Sequence, residues 1–313
     1  MLPMQTVDAD TAARLLDYPA LIGALGDAFK VGVTAPERAV YALPAAGSTL
    51  MTMPAWNAAA TGVKVLTIMP GNPVLGLPLI QASYLLFDGP TGSPLVVIDG
   101  TELTRRRTAA MAALAAKYLA RPQSSVLLMI GTGALAPHCV RAHAAVLGLR
   151  RVLLYGRSQE KVADLARELA ELPVEIAGDL EQAVAASDVI VSATSASVPF
   201  LRGDWLTPGK HVALIGSYQH SMAEADDTAL TRSRVYADTR EGVLAESGEV
   251  AGAIARGVFK PGDIVGDLSD LVSGRVAGRT DPQQITLFKS VGTAVADLAG
   301  AMLVQARLRV GAA

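Results

Sequence analysis

The stretch SSVLLMIGTGALAPHCVRAHAAVLGLRRVLLYGRS, residues 124–158, holds an apolar run, a glycine-rich turn, a helical pattern and a second apolar run. A strand buried on both faces of a parallel sheet reads as such a continuous run. The turn GTGALA (131–136) follows the first run directly and opens a helix over 134–148. Strand, G-x-G-x-x-A turn and helix in that order form the dinucleotide fingerprint. Gly131 permits the tight turn, Gly133 lets the backbone approach a pyrophosphate, and Ala136 permits close helix–strand packing. With Thr132, Ala134 and Leu135 they make the expected cradle, where free helix N–H groups face phosphates. The second run, RVLLY, ends in Gly156, Arg157 and Ser158. No carboxylate stands there to bond the ribose hydroxyls of NAD, whereas Arg157 can pair with a 2′-phosphate and Ser158 can donate to it. The expected cofactor is therefore NADPH, with NADH as the alternative. A serine at this point also serves as an ordinary helix N-cap.

Downstream the alternation continues. A helix is expected over 158–171, then PVEIAG, a short helix over 179–186, and the apolar runs DVIVSATS, HVALIG and RVYAD. Repeated strand–helix units imply a parallel sheet covered by helices on both faces. Thr194 and Ser195 end one of those strands, at the edge where such folds touch their cofactor. Upstream the period changes. Residues 8–31 read as one amphipathic helix with Tyr18, Ile22, Leu25 and Phe29 on one face. Residues 38–100 read as an antiparallel or mixed sheet with a hairpin-like connection at 88–94, and 104–120 as an alanine-rich helix. A last helix over 291–309 lies outside the strand–helix series and could return to the N-terminal part. The expectation is an α/β chain with a Rossmann-type parallel-sheet domain over 118–290. A smaller α+β domain would be built from 1–117 and 291–313.

Composition narrows the function. The 313 residues are 51% hydrophobic and 18% charged, which excludes disorder over most of the length. A net charge of −2 gives no global basic field, and 4% aromatics are few for a stacking binder of nucleic acid. The single cysteine, Cys139, excludes a disulfide framework and any multi-cysteine metal site. His138 and His143 are five apart and do not share a helix face as an i,i+4 metal pair does, so no metal is expected. The N-terminus has early acids and no apolar core of signal-peptide type, and no run of about 18 uncharged apolar residues is present. A cytoplasmic protein with neither membrane nor nucleic-acid partner is the expectation. Three cations stand out in apolar surroundings: Arg38 near Pro36, Lys64 in the strand GVKVLTIM, and Arg107 opening an apolar helix. A cation in an apolar strand needs an anion or a path to water, and three of them suggest a pocket for a carboxylate.

Several segments together resemble the ornithine cyclodeaminase/μ-crystallin family. They are PER (36–38), MPAW (53–56), GVKVLTIMPGN (62–72), DGTELTRRRTAA (99–110), GTGALA (131–136), TPGKHVALIGS (207–217), ESGEV (246–250) and LFKSVGTAVADLA (287–299). The resemblance implies a homodimer with an NAD(P)-binding domain and a separate substrate-binding and dimerisation domain acting on small amino or imino acids. It places the family's carboxylate-binding arginines at Arg38 and Arg107 and its active-site lysine at Lys64, which makes Lys64 and Arg107 the candidate catalytic pair. Asp297 matches a family aspartate, to which only a helix contact is assigned. Ornithine cyclodeaminases carry an acid where Met51 stands and an aspartate where Tyr218 stands. A methionine cannot handle the protons of a second amine, and a tyrosine near its ordinary pKa is a poor base at neutral pH. The stretch GSYQHSMAE (216–224) is similar to members that reduce cyclic ketimines, Δ1-pyrroline-2-carboxylate and Δ1-piperideine-2-carboxylate, to L-proline and L-pipecolate. In that setting Arg38, Lys64, Arg107 and Tyr218 are the expected substrate contacts, with His220 a further candidate near the imine. An ornithine cyclodeaminase, an amino-acid dehydrogenase of the same family, and a non-enzymatic NADPH-binding crystallin-like protein are the alternatives.

Overall fold

Asp17 divides the segment that reads from sequence as one helix. The chain opens with strand β1 (Gln5–Val7) and helix α1 (Ala9–Leu15), and restarts as α2 (Tyr18–Val31). The Asp17 carboxylate accepts the Ala20 N–H at 3.1 Å, and Pro19 sits in the first turn, where its missing N–H costs nothing. The correction to a single 8–31 helix is thus a second N-cap inside an unbroken apolar period. The computed structural model describes residues 4–311. These fall into two compact units, one made of residues up to 107 and from 293 onward, the other of 108–292.

The first unit continues with β2 (Ala39–Ala42), β3 (Thr49–Trp56), β4 (Ala60–Ile68), β5 (Ile80–Asp88) and β6 (Pro94–Asp99), and enters helix α3 (Gly100–Leu119). Its six strands run β1-β6-β5-β4-β3-β2, with β1 parallel to β6 and the other pairs antiparallel. The β5–β6 turn is held by Asp88, which accepts from Thr91 N and Oγ1 at 3.1 and 2.6 Å. Strand alternation puts Met53, Ala55, Ala60, Lys64, Leu66, Tyr84 and Leu86 on one buried face. The unit boundary at 107/108 falls inside α3, ten residues before the 117/118 division expected from the sequence pattern.

The second unit alternates strand and helix as β7 (Val126–Ile130), α4 (Ala136–Ala144), β8 (Arg151–Tyr155), α5 (Gln159–Glu168), β9 (Val174–Ile176), α6 (Leu180–Ala186) and β10 (Val189–Ser192). It goes on through β11 (His211–Leu214), α7 (Asp227–Thr231), β12 (Arg234–Ala237), α8 (Arg240–Glu246), α9 (Gly248–Ala255), β13 (Ile264–Asp267), α10 (Leu268–Ser273) and β14 (Thr286–Lys289). All eight strands are parallel, in the order β13-β12-β14-β11-β10-β7-β8-β9. This is a Rossmann-like sheet, and its order reverses between β7 and β10, where such folds bind ligands. Strands β13 and β14 are absent from the sequence expectation. Strand β14 enters the sheet out of order, between β11 and β12, a placement that local pattern cannot reveal. The helix expected over 134–148 is shorter, Ala136–Ala144. The chain then returns to the first unit as α11 (Ala294–Gly311), which packs across β3 to β6 and beside α2.

Candidate functional site

In the second unit the glycine turn has the geometry its sequence requires. Gly131 takes a φ of +112°, which L side chains rarely adopt, and a Cβ there would lie 2.6 Å from the Ala193 carbonyl oxygen. Gly133 has open space on its Cβ side, so nothing of the chain blocks a ligand from its backbone. Helix α4 starts at Leu135 without a side-chain cap, unlike α5 and α6, which Ser158 and Asp179 cap. Thr132, Gly133, Ala134 and Pro137 line a cleft together with Lys161 and Asp164 of α5. A Cβ on Gly156 would meet Thr132 Cγ2 at 2.8 Å, so the end of β8 lies against the turn. Arg157 next to it is exposed. The Ser158 hydroxyl accepts from Lys161 N at 3.4 Å, which leaves its own proton for a further acceptor. This donor set, with a glycine cradle and a cation in place of an acid, fits a dinucleotide.

The neighbouring strand ends are tied by a buried carboxylate that the sequence reasoning missed. Glu224, fully buried, accepts from Ser192 Oγ at 2.5 Å, Thr194 N at 2.7 Å, Thr194 Oγ1 at 2.9 Å and Gly216 N at 2.8 Å. It thereby fixes Thr194, while Ser195 beyond it is exposed. The Glu224 N–H donates to Glu249 at 2.8 Å. Glu249 pairs with Lys289 Nζ at 3.1 Å and accepts from the Ser217 hydroxyl. Lys289 Nζ also donates to Ser217 O and Oγ, both at 2.6 Å. Burial alone would push the Glu249 carboxyl up, but Lys289 and these hydrogen bonds hold it below the ordinary value. The loop 217–223 is therefore clamped at both ends. Tyr218 lies on it, partly buried against the hydrophobic core of this unit, with burial raising its phenol above the ordinary value; His220 is exposed.

In the first unit the structure brings Lys64, Arg107 and Arg38 together. Asp297, in the first turn of α11, is wholly buried and lies 2.8 Å from Lys64 Nζ and 2.8 Å from Arg107 Nε. The family aspartate that had only a helix contact to its name is the shared counter-ion of both cations. Burial, then the Arg107 charge, lower the Lys64 ammonium to about 7; Asp297 opposes them and Arg38 adds to them. Burial would raise the Asp297 carboxyl, but Arg107 and Lys64 keep it below the ordinary range. Lys64 and Arg107 share one carboxylate and Lys64 also feels the charge of Arg38, an excess of positive charge that suits an anionic ligand. Met51 is buried on the same face as Lys64, since Met53 is the β3 partner of Lys64. His143 is buried, with Nδ1 2.7 Å from Cys139 O, and burial depresses its imidazole to about 4; burial also raises the Cys139 thiol. Among the described residues no group of three or more His, Cys, Asp or Glu could hold a metal. None of their helices is long and apolar enough to cross a membrane.

The chain is similar to several known proteins over nearly its whole length. Protein SAR DEFICIENT 4 of Arabidopsis thaliana is 42% identical over 87% of this chain and 86% of its own length. The Delta(1)-pyrroline-2-carboxylate reductase of Colwellia psychrerythraea is 34% identical over 97% of this chain and 99% of its own. The solved Delta(1)-pyrroline-2-carboxylate reductase of Thermococcus litoralis, in complex with NADH and L-proline, superimposes with a TM-score of 0.94 at 30% identity, covering 98% of each chain. The sequence profile of one family matches residues 7–312, a span that takes in the glycine turn, the clamped loop and the Lys64–Arg107–Asp297 cluster alike. On that footing the chain belongs to the ornithine cyclodeaminase/mu-crystallin family.

Proposed function

We propose that the chain is an NAD(P)H-dependent reductase of cyclic imino acids. It converts Δ1-pyrroline-2-carboxylate, Δ1-piperideine-2-carboxylate or both to L-proline and L-pipecolate. The observation that carries this reading is the buried Lys64–Arg107 pair on the single carboxylate of Asp297, with the Arg38 charge acting on Lys64. Such a net positive, desolvated site favours a small carboxylate. A buried methionine, Met51, stands where cyclodeamination would need an acid. The relatives with reductase names, one of them solved with NADH and L-proline, support the same substrate class.

A bound dinucleotide supplies the hydride. Arg107 and Arg38 hold the substrate carboxylate, and Asp297 keeps Arg107 aimed by occupying its Nε. Lys64 Nζ, whose proton affinity sits near neutrality, gives a proton to the imine nitrogen, so that C=N gains one hydride and one proton. The carboxylate of the incoming substrate adds negative charge beside Lys64 and favours its protonated form at the moment it is needed.

Spectrophotometry of NADPH and NADH oxidation with five- and six-membered ketimines tests the reading. Turnover is expected with at least one of them, and no ammonia release from ornithine with NAD. Ammonia release without ketimine-dependent oxidation would instead make the chain a cyclodeaminase. Because the lysine is protonated below about 7 and neutral above it, kcat/KM should fall as pH rises through about 7. Lys64→Arg keeps the charge but cannot give up a proton, so it should lose most of kcat/KM, and whatever activity remains should lack that limb. A limb that stays in place in the variant would assign it to the substrate.

For the cofactor we infer a preference for NADPH, resting on exposed Arg157 and the absence of an acid at 156–158. A charge-assisted bond to a phosphate is worth about 1.5–3 kcal/mol, or roughly 10–150-fold in affinity. Arg157→Ala should weaken NADPH by that factor and leave NADH within about twofold, measured by fluorescence titration. Equal losses for the two nucleotides would discard the preference.

A further inference from the structure

Two donors in the Lys64–Arg107–Asp297 cluster have no acceptor among the described residues. Arg107 commits Nε to Asp297, but its Nη1 is buried and makes no hydrogen bond. The Tyr84 hydroxyl is likewise buried and unpartnered. Tyr84 stands on β5 directly opposite Lys64 in the β4–β5 register, and none of it is exposed. Its ring leans over Gly62, two residues before Lys64 on the same face of β4. A Cβ at Gly62 would lie 2.2 Å from Tyr84 Oη and 2.7 Å from its ring carbons, so only glycine leaves room for the hydroxyl there. Burial, and then the Asp297 charge, hold the phenol well above its ordinary pKa. At any physiological pH the group is therefore an O–H donor.

A buried hydroxyl without an acceptor is a destabilising feature, and most folded proteins avoid it. A phenylalanine would fill the space over Gly62 equally well. The hydroxyl stands where Lys64 and Arg107 converge on Asp297. We propose that Tyr84 is a substrate-binding residue, whose Oη–H donates to the substrate carboxylate beside Arg107. The proposal rests on the reading that this cluster takes a cyclic imino acid. It adds a neutral donor from β5, the strand beside Lys64, to those of the cations.

Tyr84→Phe removes the hydroxyl and keeps the ring. The measurements are KM and kcat for Δ1-pyrroline-2-carboxylate, the Kd of pyrrole-2-carboxylate by titration calorimetry, the Kd of NADH, and Tm without ligand. The expected result is a rise of about tenfold or more in KM and in the pyrrole-2-carboxylate Kd, since the lost bond has a charged acceptor. The NADH Kd should be unchanged and Tm equal or higher. Unchanged KM and Kd, with or without a higher Tm, would make Tyr84 a cover for Gly62 and overturn the proposal while leaving the reductase reading intact. If the unaltered protein neither turns over the imine nor binds pyrrole-2-carboxylate, the reductase reading falls and the proposal falls with it.

Discussion

Asp297→Ala should unfold at markedly lower denaturant than the unaltered protein and lose at least 10²-fold in kcat/KM on the ketimine. The carboxylate is wholly buried and neutralises Lys64 and Arg107 at 2.8 Å each. Removing one partner of a buried ion pair leaves an uncompensated charge, at a cost of about 3–5 kcal/mol. Lys64 can escape part of that cost by shedding its proton, since its ammonium is already lowered to about 7. Arg107 cannot, because a guanidinium stays charged, so the loss persists at every working pH. Urea titration of the variant checks the stability, and a change below about 1 kcal/mol would mean that the cluster is open to water rather than dry. The kinetic loss has a separate origin: Arg107 loses the bond that aims it, and an interaction felt in the transition state is worth about 2–3 kcal/mol or more.

The second large effect lies in the other unit. Lys289→Met strands Glu249, fully buried and 3.1 Å from the ammonium it loses, and should again cost about 3–5 kcal/mol. The double variant Glu249→Gln/Lys289→Met removes both charges and should recover half or more of that loss. Denaturation of the two variants side by side decides the matter: a double variant no more stable than the single one would show that Glu249 is held by Ser217 and Glu224 rather than by Lys289. The acid limb follows from the same pair of carboxylates. Asp297 and Glu249 both sit below their unfolded values. Each therefore contributes its stability above about pH 4 and loses it as pH falls through the lowered native value.

The parts of this protein that were legible in its sequence are those in which cause and effect lie close along the chain. The strand–turn–helix around Gly131, the alternation of strands and helices after it, and the carboxylate cation trio all follow from residues a few places apart or from a single misfit charge in an apolar run. Asp17 was equally local, yet it was hidden by an apolar period that continues through the cap. Asp297 lies 190 residues from Arg107, so no spacing rule links them. Lys289 obeys the rule that exposed Lys64, a cation inside an apolar strand, but its strand was not recognised and the rule was not applied. Its partner Glu249 and the clamp residue Glu224 come from loops and helix starts, where acids are common. Tyr84 gave no signal of its own, because an aromatic in a strand is ordinary until its hydroxyl is found without an acceptor.

The return of α11 to the first unit sets the order in which the protein can be completed during synthesis. Lys64 and Arg107 leave the ribosome early, while their counter-ion is made only after the whole second unit. That unit is contiguous and can close its sheet while the chain is still growing. The first unit cannot: until α11 emerges, β3 to β6 lack part of their cover and two cations lack their anion. A nascent chain at that stage offers apolar surface and strand edges to its surroundings, the condition in which chaperones bind and neighbouring chains aggregate. Lys64 and Arg107 thus gain their shared counter-charge only when α11 docks on the sheet.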